Sequence, residues 1–237
     1  MKKLGVFCSS GGASIFEAYD IFNSLYPRAI ELAIATDRDC GAEKEAGARG
    51  LPLRRFENKD RAGLSADICD YFIRNGCAAA LLICLRLVSR ELYGQIPTMN
   101  IHPALLPAFP GMNAVKQALA AGARFLGATL HMVNEGMDEG QIISQTALPL
   151  PPEVSLERAN SISFYQKVYL CLILLESVHL DRIEFPKSGD GEYSAVLTER
   201  PRLAPYANPA IATPQLEQAF VQKMRGYGYD YAEAGRP

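Results

Sequence analysis

The chain has 237 residues, 49% of them apolar and 21% charged, a length and balance that fit one substantial globular domain, or one domain with an appendage. A formal charge of −2 without any run of Lys and Arg argues against a nucleic-acid partner. Residues 4–7 are too short an apolar stretch for a signal peptide, and the longest apolar runs, 77–85 and 168–175, fall short of the roughly 20 residues of a membrane span. The expectation is a cytoplasmic protein with no membrane partner.

In chain order, residues 4–8 form a first strand closed by Ser9-Ser10-Gly11-Gly12. A helix then begins near Ser14, with Ile15, Phe16, Tyr19 and Phe22 on its apolar face. Residues 32–35 read as a second strand, 43–49 as a short helix stopped at Gly50, and 53–56 as a third strand. Leu64, Ile68 and Phe72 mark a helix from about residue 62 that Gly76 ends. The continuous apolar run 78–85 suits a strand buried on both faces. This alternation predicts an α/β fold built on an open, mostly parallel, twisted sheet with helices on both faces.

Beyond it come a strand end at 99–102, a short helix over 114–121, two strands over 125–134 and 141–148, and a long helix over 156–180. After residue 180 the composition turns rich in Pro, Gly, Ser and Ala, with a strand-like piece at 193–197, a short helix at 215–224 and a tyrosine-rich tail. Residues 1–180 therefore read as the main domain, and 181–237 as an extension that is not an independent domain. The six cysteines, Cys8, Cys40, Cys69, Cys77, Cys84 and Cys171, carry no C-x-x-C pair and read as free, mostly buried thiols.

Chemistry concentrates in Met99-Asn100-Ile101-His102-Pro103 and in Gly136-Met137-Asp138-Glu139-Gly140. A His at a strand end can exchange protons or hold a developing negative charge once protonated, and a neighbouring Asn adds a fixed N–H donor. An Asp on a facing loop can orient the imidazole or hold a water that shuttles protons. The bland alternative is a loop His packed on prolines and an Asp that starts a turn. His131, among apolar neighbours, reads first as a structural His. A metal site from His102, His131 and Asp138 can be drawn, but no i, i+4 His pair supports it.

The turn Gly11-Gly12-Ala13-Ser14 opens a helix whose free N–H groups and dipole suit a phosphate, although neither G-x-G-x-x-G nor a P-loop is present. Residues 85–88 end a central strand, where open α/β sheets bind ligands; an Arg at position 86 there commonly reaches to solvent instead.

The pair of motifs N-I-H-P-A-L-L-P-A-F-P-G and G-A-T-L-H-M-V-N-E-G-M-D-E-G-Q-I-I resembles the folate-dependent formyltransferases, most of all their glycinamide ribonucleotide branch, over residues 3–180. The resemblance implies that Asn100, His102 and Asp138 are catalytic, with His131 behind them. It implies that 10-formyltetrahydrofolate, as co-substrate, meets Arg61, Leu85, Arg86, Leu87, Val88, Asn134, Glu135, Gly136 and Met137. It places the acceptor's phosphate and ribose on Gly11, Gly12, Ala13, Ser14 and Gln166, and a cis bond at Leu106–Pro107. The implied reaction moves a formyl group onto the amine of glycinamide ribonucleotide, with small-molecule partners only, no metal, and a monomer or homodimer.

Two departures bear on the acceptor. Relatives read S-G-N-G-S-N-L where this chain has Ser9-Ser10-Gly11-Gly12-Ala13-Ser14-Ile15, and they carry Glu where it has Gln166. Formyltetrahydrofolate hydrolase, an N-formyltransferase of amino sugar nucleotides, and a non-catalytic folate-binding protein on the same scaffold are the rival readings. The hydrolase carries an additional N-terminal domain, whereas this chain opens on its first strand. The extension is too short, and not basic enough, for the tRNA-binding domain of methionyl-tRNA formyltransferase.

Overall fold

The computed structural model describes residues 1–84, 86–151, 153–199, 202–204 and 206–226. Leu85 and the tail from Tyr227 to Pro237 lie outside the described residues.

Five parallel strands, β1 (Lys2–Cys8), β2 (Ile30–Thr36), β3 (Leu53–Arg55), β4 (Ala79–Ile83) and β5 (Thr98–His102), form most of the main sheet. Beyond β5 the pairing turns antiparallel through β6 (Phe125–Met132), β7 (Ile142–Pro149) and a short β10 (Ala207–Asn208). The spatial order is β10-β7-β6-β5-β4-β1-β2-β3.

Side chains alternate between two cores, as the two-residue period of a strand demands. Leu4, Val6 and Cys8 of β1, Ile30, Leu32 and Ile34 of β2, and Ala79 and Leu81 of β4 enter one core. Phe7, Ala33, Ala35, Ala80 and Leu82 enter the other. That double burial is why these strands read as unbroken apolar runs in the sequence.

The first core is closed by α1 (Ala13–Leu25), α2 (Gly41–Ala48), α5 (Ala114–Ala120), α6 (Leu156–His179) and α7 (Pro214–Gly226). The second is closed by α3 (Arg61–Arg74) and the single-turn α4 (Arg90–Tyr93). Ser155 caps α6 by accepting from the Arg158 amide at 3.1 Å, and Asp60 caps α3 through the Gly63 amide at 2.7 Å. α6 extends well beyond the apolar run at 168–175: it has 24 residues and holds an 18-residue window of mean hydropathy 1.2. By length and composition it passes for a membrane span, but 78% of that window is buried inside the fold, against α1, β6 and β7.

The residues after 180 are built onto this frame. β8 (Ile183–Glu184) and β9 (Val196–Leu197) pair as a separate hairpin, and β10 extends the main sheet beside β7. On α7, Leu216, Phe220 and Met224 are fully buried. The buried Glu176 carboxylate of α6 accepts from the Ala212 and Thr213 amides at 2.6 and 2.7 Å, satisfying donors at the start of α7. α4, β8 and β10 escape a sequence reading because two to four residues are too few to display a period.

Candidate functional site

Strand parity assembles the site. Met99 and Ile101 of β5, and Leu126, Ala128, Leu130 and Met132 of β6, face the α6 core. Asn100, His102, Thr129 and His131 must therefore share the opposite face. The antiparallel register sets Asn100 opposite His131 and His102 opposite Thr129. The loop after β6 carries Asp138 back over this face.

Hydrogen-bond chemistry then orders the protons. His131 places Nδ1 at 2.8 Å from the Met132 carbonyl, an acceptor only, so Nδ1 carries the ring proton. Burial pushes this imidazole below its ordinary value of 6.5. Nε2 of the neutral ring accepts from the Asn100 amide at 3.3 Å. One Asn100 N–H is thereby engaged, and the carboxamide is held in a defined orientation.

His102 is buried, at 3% exposure, with Nε2–H donating to the Phe109 carbonyl at 2.8 Å. Its Nδ1 faces Asp138 Oδ2 at 3.2 Å, and Asp138 Oδ1 lies 3.6 Å from His131. Asp138 itself has φ 59° and accepts from the Gly111 amide at 2.8 Å. Both ring nitrogens of His102 thus face acceptors, an arrangement that a doubly protonated imidazole completes.

Thr129 and Gln145, which the sequence reading passed over, hold the loop that follows His102. The Thr129 hydroxyl accepts from the Leu106 amide at 3.1 Å and donates to the Ala104 carbonyl at 2.7 Å. The Gln145 amide donates to Thr129 Oγ1 at 3.0 Å and to the Leu106 carbonyl at 2.9 Å. The peptide bond of Leu106–Pro107 is cis. Two-residue spacing from His131 and the facing register of β7 are the signals that point to this pair.

The other expected residues separate into two groups. On the folate side, Val88 is buried, Leu87 and Met137 are exposed, and Asn134 accepts from the Gly136 amide at 3.1 Å. Glu135 is exposed. Arg61 is turned to the Val88 carbonyl at 2.9 and 2.5 Å, so it supports this segment from below. Arg86, partly exposed, is tied back to the protein: it donates to the Asn58 and Lys59 carbonyls at 3.1 and 2.6 Å and lies 3.8 Å from Asp37. Burial pushes the Asp37 carboxyl up, but hydrogen bonds led by those from Arg38 outweigh it and leave the group below the usual range.

On the acceptor side, Gly12 caps α1 with φ 61°, and a Cβ on Gly11 would meet nothing within 4 Å, so the turn is open above. The N–H groups of Gly11, Gly12, Ala13 and Ser14 precede or open the helix, whereas the Ser14 side chain is buried and bonds toward the Cys171 thiol. Gln166 departs from the expected ribose contact. It is fully buried and donates to the Leu126 carbonyl at 2.7 Å, because its helical position faces β6.

The cysteines are free; burial pushes the Cys8, Cys84 and Cys171 thiols up and keeps them protonated. Among the described residues no group of three or more His, Cys, Asp or Glu is placed to hold a metal. The site lies at the carboxyl ends of β1, β4 and β5, next to the point where the chain, having run from β1 outward to β3, returns to β4 on the other side. Open α/β sheets form their ligand crevices at such switch points.

A formyl transferase family model matches residues 38–167, which include Asn100, His102, His131, Asp138 and the described folate-side residues but not the Gly11 turn. The chloroplastic phosphoribosylglycinamide formyltransferase of Arabidopsis thaliana is 30% identical over 201 residues, covering 79% of this chain and 69% of the relative. The phosphoribosylglycinamide formyltransferase of Bacillus subtilis is 35% identical over 166 residues, covering 66% of this chain and 84% of the relative. The crystal structure of glycinamide ribonucleotide transformylase 1 from Symbiobacterium toebii superposes with a TM-score of 0.70 at 26% identity, covering 78% of this chain and 91% of that one. In sequence and in fold alike, the chain belongs to the formyl transferase family.

Proposed function

We propose that this enzyme transfers the formyl group of 10-formyltetrahydrofolate to the amine of glycinamide ribonucleotide in purine biosynthesis, with Asn100, His102 and Asp138 as its catalytic residues. The observation that carries the reading is the Asp138–His102 contact at 3.2 Å beside an Asn100 amide oriented by neutral His131. The names of the similar proteins support the acceptor.

In the reaction the acceptor amine attacks the formyl carbon, and the carbonyl oxygen gains negative charge. The second Asn100 N–H meets that charge, and imidazolium His102 adds a positive partner. Asp138 holds His102 in place and positions the water that relays a proton from the amine to N10 of the folate. The C–N10 bond then breaks, releasing tetrahydrofolate and the formylated amide. His102 gives its Nε2–H to Phe109 before substrate arrives, so this reading requires the Phe109 carbonyl to yield that proton to the formyl oxygen.

The co-substrate would lie between residues 86–88 and the 134–138 loop, with the acceptor phosphate over the open Gly11 turn. The chemistry draws on small molecules alone and needs no metal. A cytoplasmic monomer or homodimer completes the proposal.

The test follows tetrahydrofolate release by absorbance, with and without glycinamide ribonucleotide. Release that depends on glycinamide ribonucleotide is expected. Release without any acceptor makes the enzyme a hydrolase. No release in either case overturns this acceptor and directs the assay to amino sugar nucleotides.

A further inference from the structure

The loop that carries Asp138 is tied to the hairpin after residue 180 by one side chain. The Gln141 amide donates to the Ala195 carbonyl at 2.9 Å, and its carbonyl accepts from the Ala195 amide at 2.8 Å. A single side chain thus imitates an antiparallel backbone pair across 54 residues of sequence.

The same hairpin grips the chain that leads into β5. Lys187 donates to the Gly94 carbonyl at 2.6 Å, the Tyr193 hydroxyl to the Gln95 carbonyl at 3.1 Å, and Arg90 to the Asp190 carbonyl. It therefore touches both the chain entering the strand of Asn100 and His102 and the chain leaving the Asp138 loop. A cavity of about 270 Å³ opens at this seam, lined by residues including Asn134, Gln141, Glu192 and Tyr193. Ala195, Ile183, Phe185 and Tyr193 pack the hairpin onto the core, and the directional polar contacts fix its position along the seam.

Only Glu139 and Gly140 separate Asp138 from Gln141. Gly140 lies so close to the Met132 carbonyl that a Cβ there would fall 1.7 Å from the oxygen, and the Gln141 carbonyl accepts from the Met132 amide at 2.9 Å. A displacement at Gln141 has little slack to absorb it before Asp138.

We propose that residues 183–197 form a brace that sets the height of Asp138 against His102, and that Gln141 is the positioning residue through which the brace acts. The inference rests on the catalytic reading of Asp138 above. A group near the reacting atoms displaced by about 1 Å costs up to about 10² in rate, so Gln141 acts on turnover without touching substrate.

The experiment compares Gln141→Leu, which keeps the volume and loses both bonds, with Gln141→Glu, which retains only an acceptor. Tyr193→Phe loosens the far end of the brace with a one-atom change, in case the Gln141 variants fold poorly. Two readouts are taken: kcat and KM for both substrates, and hydrogen exchange of the Gly111 amide, whose partner is Asp138.

The expectation is a kcat lowered about tenfold in Gln141→Leu, KM values near wild type, and faster Gly111 exchange. Tyr193→Phe should give a smaller change in the same direction, non-additive with Gln141→Glu. Unchanged Gly111 exchange in all three variants overturns the brace, whatever happens to activity. If wild type transfers no formyl group, the catalytic reading has failed, and Gly111 exchange still decides whether Gln141 positions the loop.

Discussion

Gly140→Ala tests the link between loop geometry and turnover most directly. The added Cβ would fall 1.7 Å from the Met132 carbonyl oxygen and 2.6 Å from its carbon. Both are backbone atoms of β6, so no rotamer change relieves the clash. Ordinary contact requires the loop to lift by roughly 1.5 Å. Asp138, two residues upstream, is held by contacts of 2.8 Å to Gly111 and 3.2 Å to His102, and a lift of that size breaks both. The overpacking should cost about 1–3 kcal/mol of stability, or about 2–4 °C in Tm for each kcal/mol in a chain of this size. The loss of alignment should lower kcat about 10²-fold. Gly47→Ala, exposed on α2 and outside the site, is the control. A Cβ there would meet nothing within 4 Å. Its kcat should stay within about threefold of wild type, since no backbone has to move. The assay is tetrahydrofolate release at saturating substrates, with circular dichroism to confirm folding. A folded Gly140→Ala protein with wild-type kcat, or a Gly47→Ala protein as impaired as Gly140→Ala, would refute the reasoning.

Thr129→Val removes the hydroxyl bonded to the Leu106 amide, the Ala104 carbonyl and the Gln145 amide and leaves the first two only their mutual 3.2 Å bond; it should cost about 1–3 kcal/mol, and kcat should fall by more than global unfolding explains, as urea melts and kinetics together will show. Glu176→Ala removes the carboxylate that receives the Ala212 and Thr213 amides; limited proteolysis should then cut first between residue 199 and α7, whereas wild-type protection there would contradict the capping role. His131 is held below its ordinary 6.5 by burial. Under about pH 6.5 the unfolded chain therefore binds more protons than the native one, and stability contributed by the neutral ring is full above that pH and lost as pH falls toward the lowered native value. Denaturation at about pH 7.5 and pH 5.5 should show wild type losing more stability than His131→Gln; equal losses would place the acid sensitivity elsewhere.

How far the chain can be read without coordinates follows from how each signal arises. The parallel half was legible because strands buried on both faces must be apolar throughout and the helices between them carry a periodic stripe. α1, predicted from near Ser14, begins at Ala13, and the helix predicted from about residue 62 begins at Arg61. The Asn100, His102 and Asp138 set was visible as residue types around a strand end. The sharing of one face by Asn100 and His131 was not, because it depends on the β5–β6 register, which local sequence does not encode. Arg61, Arg86 and Gln166 show the same limit from the other side. The resemblance sets all three at the ligand sites, and the structure shows that each side chain satisfies a backbone carbonyl. A buried carbonyl needs a donor, and no spacing rule reveals which long side chain will provide one.

The same accounting explains why this polar cluster tolerates its burial and where it stays reactive. His131 is satisfied by Met132 on one nitrogen and Asn100 on the other; Asp138 is satisfied by Gly111 and faces His102; His102 is closed by Phe109. An unpaired group in such a place would cost about 1–3 kcal/mol, so each bond removes a reason for the cluster to rearrange. Two donors keep capacity toward the crevice. The second N–H of Asn100 is already oriented, and the Nε2–H of His102 is lent to the carbonyl of Phe109, a residue with φ 55° in an exposed loop. An oxygen that gains negative charge is a stronger acceptor than that neutral carbonyl. The exchange at His102 is therefore most favourable when charge has developed. An interaction that strengthens on the way to the transition state raises turnover instead of merely tightening the ground state. Under the proposed catalytic role of His102, the Phe109 carbonyl satisfies it between turnovers and gives way at the step where the proton donor is needed.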